Sequence, residues 1–208
     1  MAHQKYQTEA ESQPDIYIRF TRLKYLDEAR QAVAEQLLSV PTNECVLVPN
    51  ATTGINTILR NLKFKEGDAL IYFPSIYGAI EMTIQSVMEG SPLQARKVEG
   101  FDFLEISSNS SRTGESVKDL VARSLRDAIH SVKEKERLNV RMALFDTISS
   151  APGMRFPFEK LVEVCREEGV YSLIDGAHAI GMSKLSLSLS LSLSLWGMVH
   201  CLTLLYMI

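Results

Sequence analysis

Cysteine is scarce in this chain: Cys45, Cys165 and Cys201 stand far apart in 208 residues. That spacing excludes a disulfide framework and a paired-cysteine metal site. Cys165 falls on a predicted helix face, where a free thiol acts as a small buried hydrophobe. Basic charge is not in excess either. The formal net charge is −3, with both signs mixed throughout, so no nucleic-acid footprint is expected. The N-terminus, Met1-Ala-His-Gln-Lys-Tyr-Gln, lacks the apolar core of a signal peptide. A cytoplasmic, reducing setting is the expectation that follows. What remains is ordinary for a globular domain: 46% hydrophobic and 23% charged residues.

Periodicity organises the chain as alternating strands and helices. Residues 1–15 are expected to be a disordered leader. Leu23, Leu26, Val33 and Leu37 recur at helical spacing before Pro41. Glu44 to Pro49 is predicted as a short strand and Ala69 to Phe73 as a second. Between them, Ile55, Ile58, Leu59 and Leu62 form one helical stripe. A helix carrying Ile80, Ile84, Val87 and Met88 follows Pro74-Ser75, and Glu99 to Glu115 is expected to be loop. A long helix has Val117, Leu120, Val121, Leu125, Ile129 and Val132 on one face. It ends in Lys133-Glu-Lys-Glu-Arg137, read as a solvated terminus. Strands over Val140–Phe145 and Val170–Ile174 flank a helix from Phe158 to Glu168, closed by Gly169. The pattern predicts an α/β fold with a mainly parallel sheet and helices on both faces.

Three predicted strand ends offer polar groups. Asn50-Ala51-Thr52-Thr53-Gly54 joins a strand to a helix N-terminus. Free amides and hydroxyls there suit a phosphate, although taken alone the segment is better explained by Thr52 or Thr53 as an ordinary N-cap. Phe145-Asp146-Thr147-Ile148-Ser149-Ser150-Ala151-Pro152-Gly153 leaves room beside a ligand, or is a structural turn. Tyr171-Ser-Leu-Ile-Asp175-Gly-Ala-His178 delivers an acid and an imidazole to a strand tip. In open α/β sheets, ligands bind at these carboxyl ends. A buried carboxylate there calls for a cationic partner, which a protonated pyridine nitrogen would supply. A structural Asp175 with a capping His178 remains the alternative.

In this order, four segments together resemble the large domain of class V aminotransferases, fold-type I enzymes that use pyridoxal 5′-phosphate. They are Val48-Pro-Asn-Ala-Thr-Thr-Gly-Ile-Asn56, Phe73-Pro-Ser-Ile-Tyr-Gly-Ala79, Asp146-Thr-Ile-Ser-Ser-Ala-Pro-Gly153 and Leu173-Ile-Asp-Gly-Ala-His-Ala-Ile-Gly181. The resemblance runs from about Asp15 to Gly181 and is strongest to the branch of isopenicillin N epimerase-like proteins and fungal cysteine-derivative C–S lyases. It implies that Ala51, Thr52 and Thr53 hold the cofactor phosphate and that Tyr77 stacks on the pyridine face. It further implies Ser149 or Ser150, and His178, near the phenolic oxygen, with Asp175 paired to the pyridinium nitrogen. Implied partners are an amino-acid substrate and a second subunit, either a copy of the chain or a relative.

The chain departs from that family at one decisive position. The region where the family carries its Schiff-base lysine reads Met198-Val-His200-Cys201-Leu-Thr, and no lysine follows Lys184. The small C-terminal domain and the family's segment before about Asp15 are likewise expected to be absent. No turnover is therefore expected. A non-catalytic partner of a full-length relative is the rival expectation. From Leu185 the sequence becomes Leu-Ser repeats and then an apolar tail to Ile208. A translated dinucleotide repeat, an amphipathic strand and a membrane anchor are the three readings of residues 182–208. The domain plan is thus a leader over 1–15, a partial cofactor-binding domain over 16–181, and a non-native tail.

Overall fold

The computed structural model describes residues 2–182 and 201–203. Expectations for the Leu-Ser repeat and most of the tail therefore lie outside the described residues. The chain forms two units, and the first covers residues up to Leu47. Its opening stretch, expected as a disordered leader, is helical. Helix α1 spans Ala2–Ser12, α2 spans Pro14–Ile16, and a π-helical stretch covers Tyr17–Thr21. Local polar bonds favour this: Gln7 donates to Glu11 one turn away, and the Tyr25 hydroxyl reaches the Glu9 carboxylate at 3.0 Å. Tyr25 lies on α3, Arg22–Ala32, which continues as a π-helical stretch over Val33–Leu38.

That wider winding rotates the predicted apolar stripe. Ala34 and Leu38 are buried, whereas Leu23 and Leu37 are exposed. The strand expected over Glu44 to Pro49 is absent too. A 3₁₀ turn at Thr42–Glu44 leads into extended chain. No strand among the described residues pairs with it, and Val46 is exposed.

The second unit begins at Val48 and holds the sheet. Helix α4 spans Ala51–Asn61, β1 Asp68–Tyr72, α5 Gly78–Glu89 and β2 Gln94–Lys97. Then come α6, Phe103–Thr113, α7, Val117–Glu134, and β3, Asn139–Asp146. Helix α8, Phe158–Glu167, β4, Tyr171–Asp175, and β5, Cys201–Thr203, complete the order. The strands lie in the order β2-β1-β3-β4-β5, and every neighbouring pair is parallel. Parallel pairing requires crossover connections, which the intervening helices provide.

Both faces of the sheet are covered, as the sequence predicts. On one face Leu70, Tyr72, Met142, Leu144 and Leu173 join a core with Ile55 and Leu59 of α4 and Ile80, Ile84 and Val87 of α5. The alternate positions Ile71, Ala143, Phe145 and Ile174 are equally buried. Helices α7 and α8 pack on β3 and β4. Glu168 just past α8 anchors this pair, taking contacts from Arg126, His130 and Lys133 of α7. The charged end of α7 thus contributes one clamp residue, Lys133, rather than a wholly solvated run.

Residues Phe103–Thr113, expected as loop, form α6. Asp102 caps its start by accepting from the amides of Leu104 and Glu105, at 2.7 and 3.2 Å. Gly114 closes it with φ +74°, a conformation that side chains disfavour. Phe101 and Phe103 pack edge-on against Phe73 and Phe156 and fix this helix to the sheet.

Candidate functional site

The sheet register decides where the polar residues fall. Side chains alternate along a strand, so the row above Leu144 and Leu173 on the α4–α5 face begins with Asp146 and Asp175. Two acids thus terminate an apolar row at the carboxyl ends of β3 and β4. Both are buried, at 5% and 4% exposure. Among the described residues neither has an ion pair with lysine or arginine. Asp146 is not among the site residues that the sequence points to, although it follows an apolar strand just as Asp175 does.

The two acids differ in their surroundings. Burial raises the Asp175 pKa, and the amide of Ala177, donating to Oδ1 at 2.9 Å, together with nearby His178, pulls it back. Asp146 has burial and the charge of Asp175 acting in the same direction, and its pKa rises to about 8. No hydrogen bond to its carboxyl forms among the described residues.

Asn50 caps α4, which settles which side chain starts that helix. Its Oδ1 accepts from the Thr53 amide at 2.7 Å and the Thr53 hydroxyl at 2.9 Å. Neither Thr52 nor Thr53 is the N-cap. The amides of Ala51 and Thr52 have no acceptor among the described residues, so they remain available to an anion. Ala51 is buried, and α4 leans on the same sheet face as the two acids through Ile55 and Leu59.

Tyr77 is 52% exposed at the start of α5. A buried core role is thereby excluded, and its ring is open to a partner. Two residues earlier, the Ser75 hydroxyl oxygen is buried with no hydrogen-bond partner. The two serines after β3 separate. Ser149 is buried, and its hydroxyl accepts from the Met154 amide at 3.2 Å, inside a loop also closed by Phe156 N–H to Thr147 O. Ser150 is exposed. Of the two, Ser150 faces solvent and Ser149 is bonded within the loop. His178 is exposed in the turn after β4. The register places Thr203 of β5 opposite Asp175.

Comparisons with known proteins agree with this architecture. The family model described as Aminotransferase class-V matches residues 3–189, beginning earlier than the resemblance from Asp15. An L-cysteine desulfhydrase-like protein, lolT1, from Epichloe uncinata is 36% identical over 177 residues, covering 85% of this chain and 36% of that protein. Hercynylcysteine sulfoxide lyase from Schizosaccharomyces pombe is 26% identical, covering 86% of this chain and 41% of that protein. The chain therefore spans well under half the length of these relatives. Among solved structures, a cysteine desulfurase from Thermococcus onnurineus NA1 superposes with TM-score 0.64 at 16% identity, covering 88% of this chain and 44% of that one. A C-DES mutant with glycine covalently linked to its PLP cofactor gives 0.66 at 17%, covering 89% and 44%. These two likenesses show the fold. No helix among the described residues is long and apolar enough to cross a membrane.

Proposed function

This chain belongs to the class-V aminotransferase family, and from that premise we propose that its strand tips form the pyridoxal 5′-phosphate seat of an amino-acid C–S lyase. Family membership implies the cofactor. The residues present fit it. A buried acid with no lysine or arginine partner among the described residues suits a pyridinium nitrogen, and the free amides of Ala51 and Thr52 suit a phosphate. An exposed tyrosine ring suits a stacked face, and the unpartnered Ser75 hydroxyl is a spare polar contact. The observation that carries this reading is Asp175: buried, unpaired with any described lysine or arginine, and on the sheet face against which α4 packs.

When bound, the cofactor supplies an electron sink for carbanion chemistry at an amino-acid carbon. The chain's own residues orient it. Asp175 would hold the nitrogen protonated, the Thr52 hydroxyl with the Ala51 and Thr52 amides would hold the phosphate, and Tyr77 would cover one face, while Thr53 donates to Asn50 and shapes the turn. Ser150, rather than Ser149, and His178 would contact the phenolic oxygen. The names of the relatives, cysteine desulfhydrase-like and sulfoxide lyase, support a cysteine-derived substrate and cleavage of its carbon–sulfur bond.

In the sequence as given, the segment Met198-Val-His200-Cys201-Leu-Thr, where the resemblance puts the Schiff-base residue, holds no lysine. We infer reversible cofactor binding without turnover. Titration of the purified chain with pyridoxal 5′-phosphate, read by cofactor absorbance and protein fluorescence, tests this. Saturable binding that Asp175→Asn weakens about ten-fold or more is expected, the loss of one charge-assisted contact. Equal binding by the Asp175→Asn variant would refute the seat. A stoichiometric borohydride-fixed adduct on a single lysine, or steady sulfide release from cysteine, would refute the absence of turnover.

A further inference from the structure

The site contains one buried acid more than its chemistry uses. Asp146 and Asp175 are register partners on neighbouring parallel strands, so their side chains leave the sheet on one face about 4.8 Å apart at the backbone. Both cap the apolar Leu144–Leu173 row. Two carboxylates so close, away from water and with no described lysine or arginine partner, cannot both be ionised cheaply. We propose that Asp146 is a positioning residue that carries the single proton of this pair, leaving Asp175 as the only anion presented to a cationic ligand.

The surroundings assign the proton to one side. Asp175 receives the Ala177 amide at 2.9 Å and lies near His178, and both favour its charged form. Asp146 receives neither. Other titratable groups on the elements packed against this face are committed elsewhere. Glu81 of α5 is paired with Lys97 at 2.6 Å and accepts from Tyr72 at 3.2 Å. Arg60 of α4 donates to Asn56 and Ser86. Tyr77 is exposed. Neutralising Asp146 removes a competing negative charge and keeps a ligand's proton directed to one acceptor.

The role assigned to Asp175 rests on the proposed cofactor seat, but the proton's location does not. The full chain, labelled with ¹³C at aspartate carboxyl carbons, is titrated by NMR without cofactor. One buried carboxyl is expected to stay protonated at neutral pH and titrate near 8. That signal should vanish in Asp146→Asn and fall toward the ordinary carboxylate range in Asp175→Asn. A neutral-pH protonated signal that survives Asp146→Asn would place the proton on Asp175 and overturn the proposal. So would an Asp146 that titrates in the ordinary range while circular dichroism shows the fold intact. Cofactor binding is measured separately. Failure to bind with the proton still on Asp146 would sink the seat alone.

Discussion

The Thr147 amide and hydroxyl both donate to the main-chain carbonyl of Asp175, at 2.9 and 3.2 Å. Thr147 is fully buried, so the chain leaving β3 is tied to the end of β4 where the acid is presented. Thr147→Val keeps the amide bond and the shape but removes the hydroxyl. A loss of about 1 kcal/mol in urea unfolding is expected, the net worth of one hydrogen bond, and Thr147→Ser should restore most of it.

Asp146 makes stability fall with rising pH. Its folded carboxyl keeps its proton up to about 8, whereas the unfolded group releases it near the usual 3.9 or so. Between those values the native state binds more protons than the unfolded state, so stability declines as pH rises through the window. Asp175, also raised, adds in the same direction. Asp146→Asn should flatten this decline and be more stable than the parent at about pH 8, by up to a few kcal/mol. Denaturation midpoints at about pH 5 and pH 8 for both proteins check it.

The aromatic cluster holds α6 rather than the sheet. Phe101 lies 4.6 Å from Phe73, 4.9 Å from Phe103 and 5.8 Å from Phe156 between ring centroids. Phe101→Ala should cost about 1–3 kcal/mol and speed amide exchange across Phe103–Thr113 while β3 and β4 stay protected. Phe156→Ala, which empties a fully buried position, should cost about 3–5 kcal/mol globally. Hydrogen exchange with mass spectrometry separates the local effect from the global one.

The legible parts of this molecule were those where periodicity and burial agree. Leu70, Leu144 and Leu173 mark true strands because the sheet is covered on both faces, and Asp175 stood out at the tip of an apolar run. Asp146 occupies the equivalent position one strand over. The hydroxyl residues that follow it carry the stronger local signal, and pairing register is not written in either strand alone. Strand β2, Gln-Ala-Arg-Lys, is polar and lies at the sheet edge, so its pairing with β1 carries no hydrophobic signal. Helix α6 was hidden by its serines. Asp102 and Gly114, a cap and a stop, were the marks that could have disclosed it. The converse error at Val46–Val48 came from β-branched residues that, among the described residues, find no strand to join.

Glu168 binds α7 to α8, and its titration should set the acid limit of that contact. Its side chain is 13% exposed and meets His130 at 2.8 Å, Arg126 at 3.1 Å and Lys133 at 3.3 Å. Burial pushes its pKa up, but hydrogen bonds from His130 and Lys133 outweigh it and hold the carboxyl below its ordinary range. A depressed acid contributes stability above its unfolded pKa and loses it as pH falls through the lower, folded value. The clamp is thus intact at neutral pH and is released only as pH falls below the ordinary glutamate range. Glu168→Gln should cost only about 1–2 kcal/mol at pH 7, because Arg126, His130 and Lys133 are themselves one-third to one-half exposed and stay solvated. Lys133 also keeps its 2.8 Å bond to the Glu168 carbonyl. The stability difference between parent and variant should shrink as pH drops through and below the ordinary glutamate range. A gap that stayed constant across that range would mean that the carboxylate charge does not hold the two helices together.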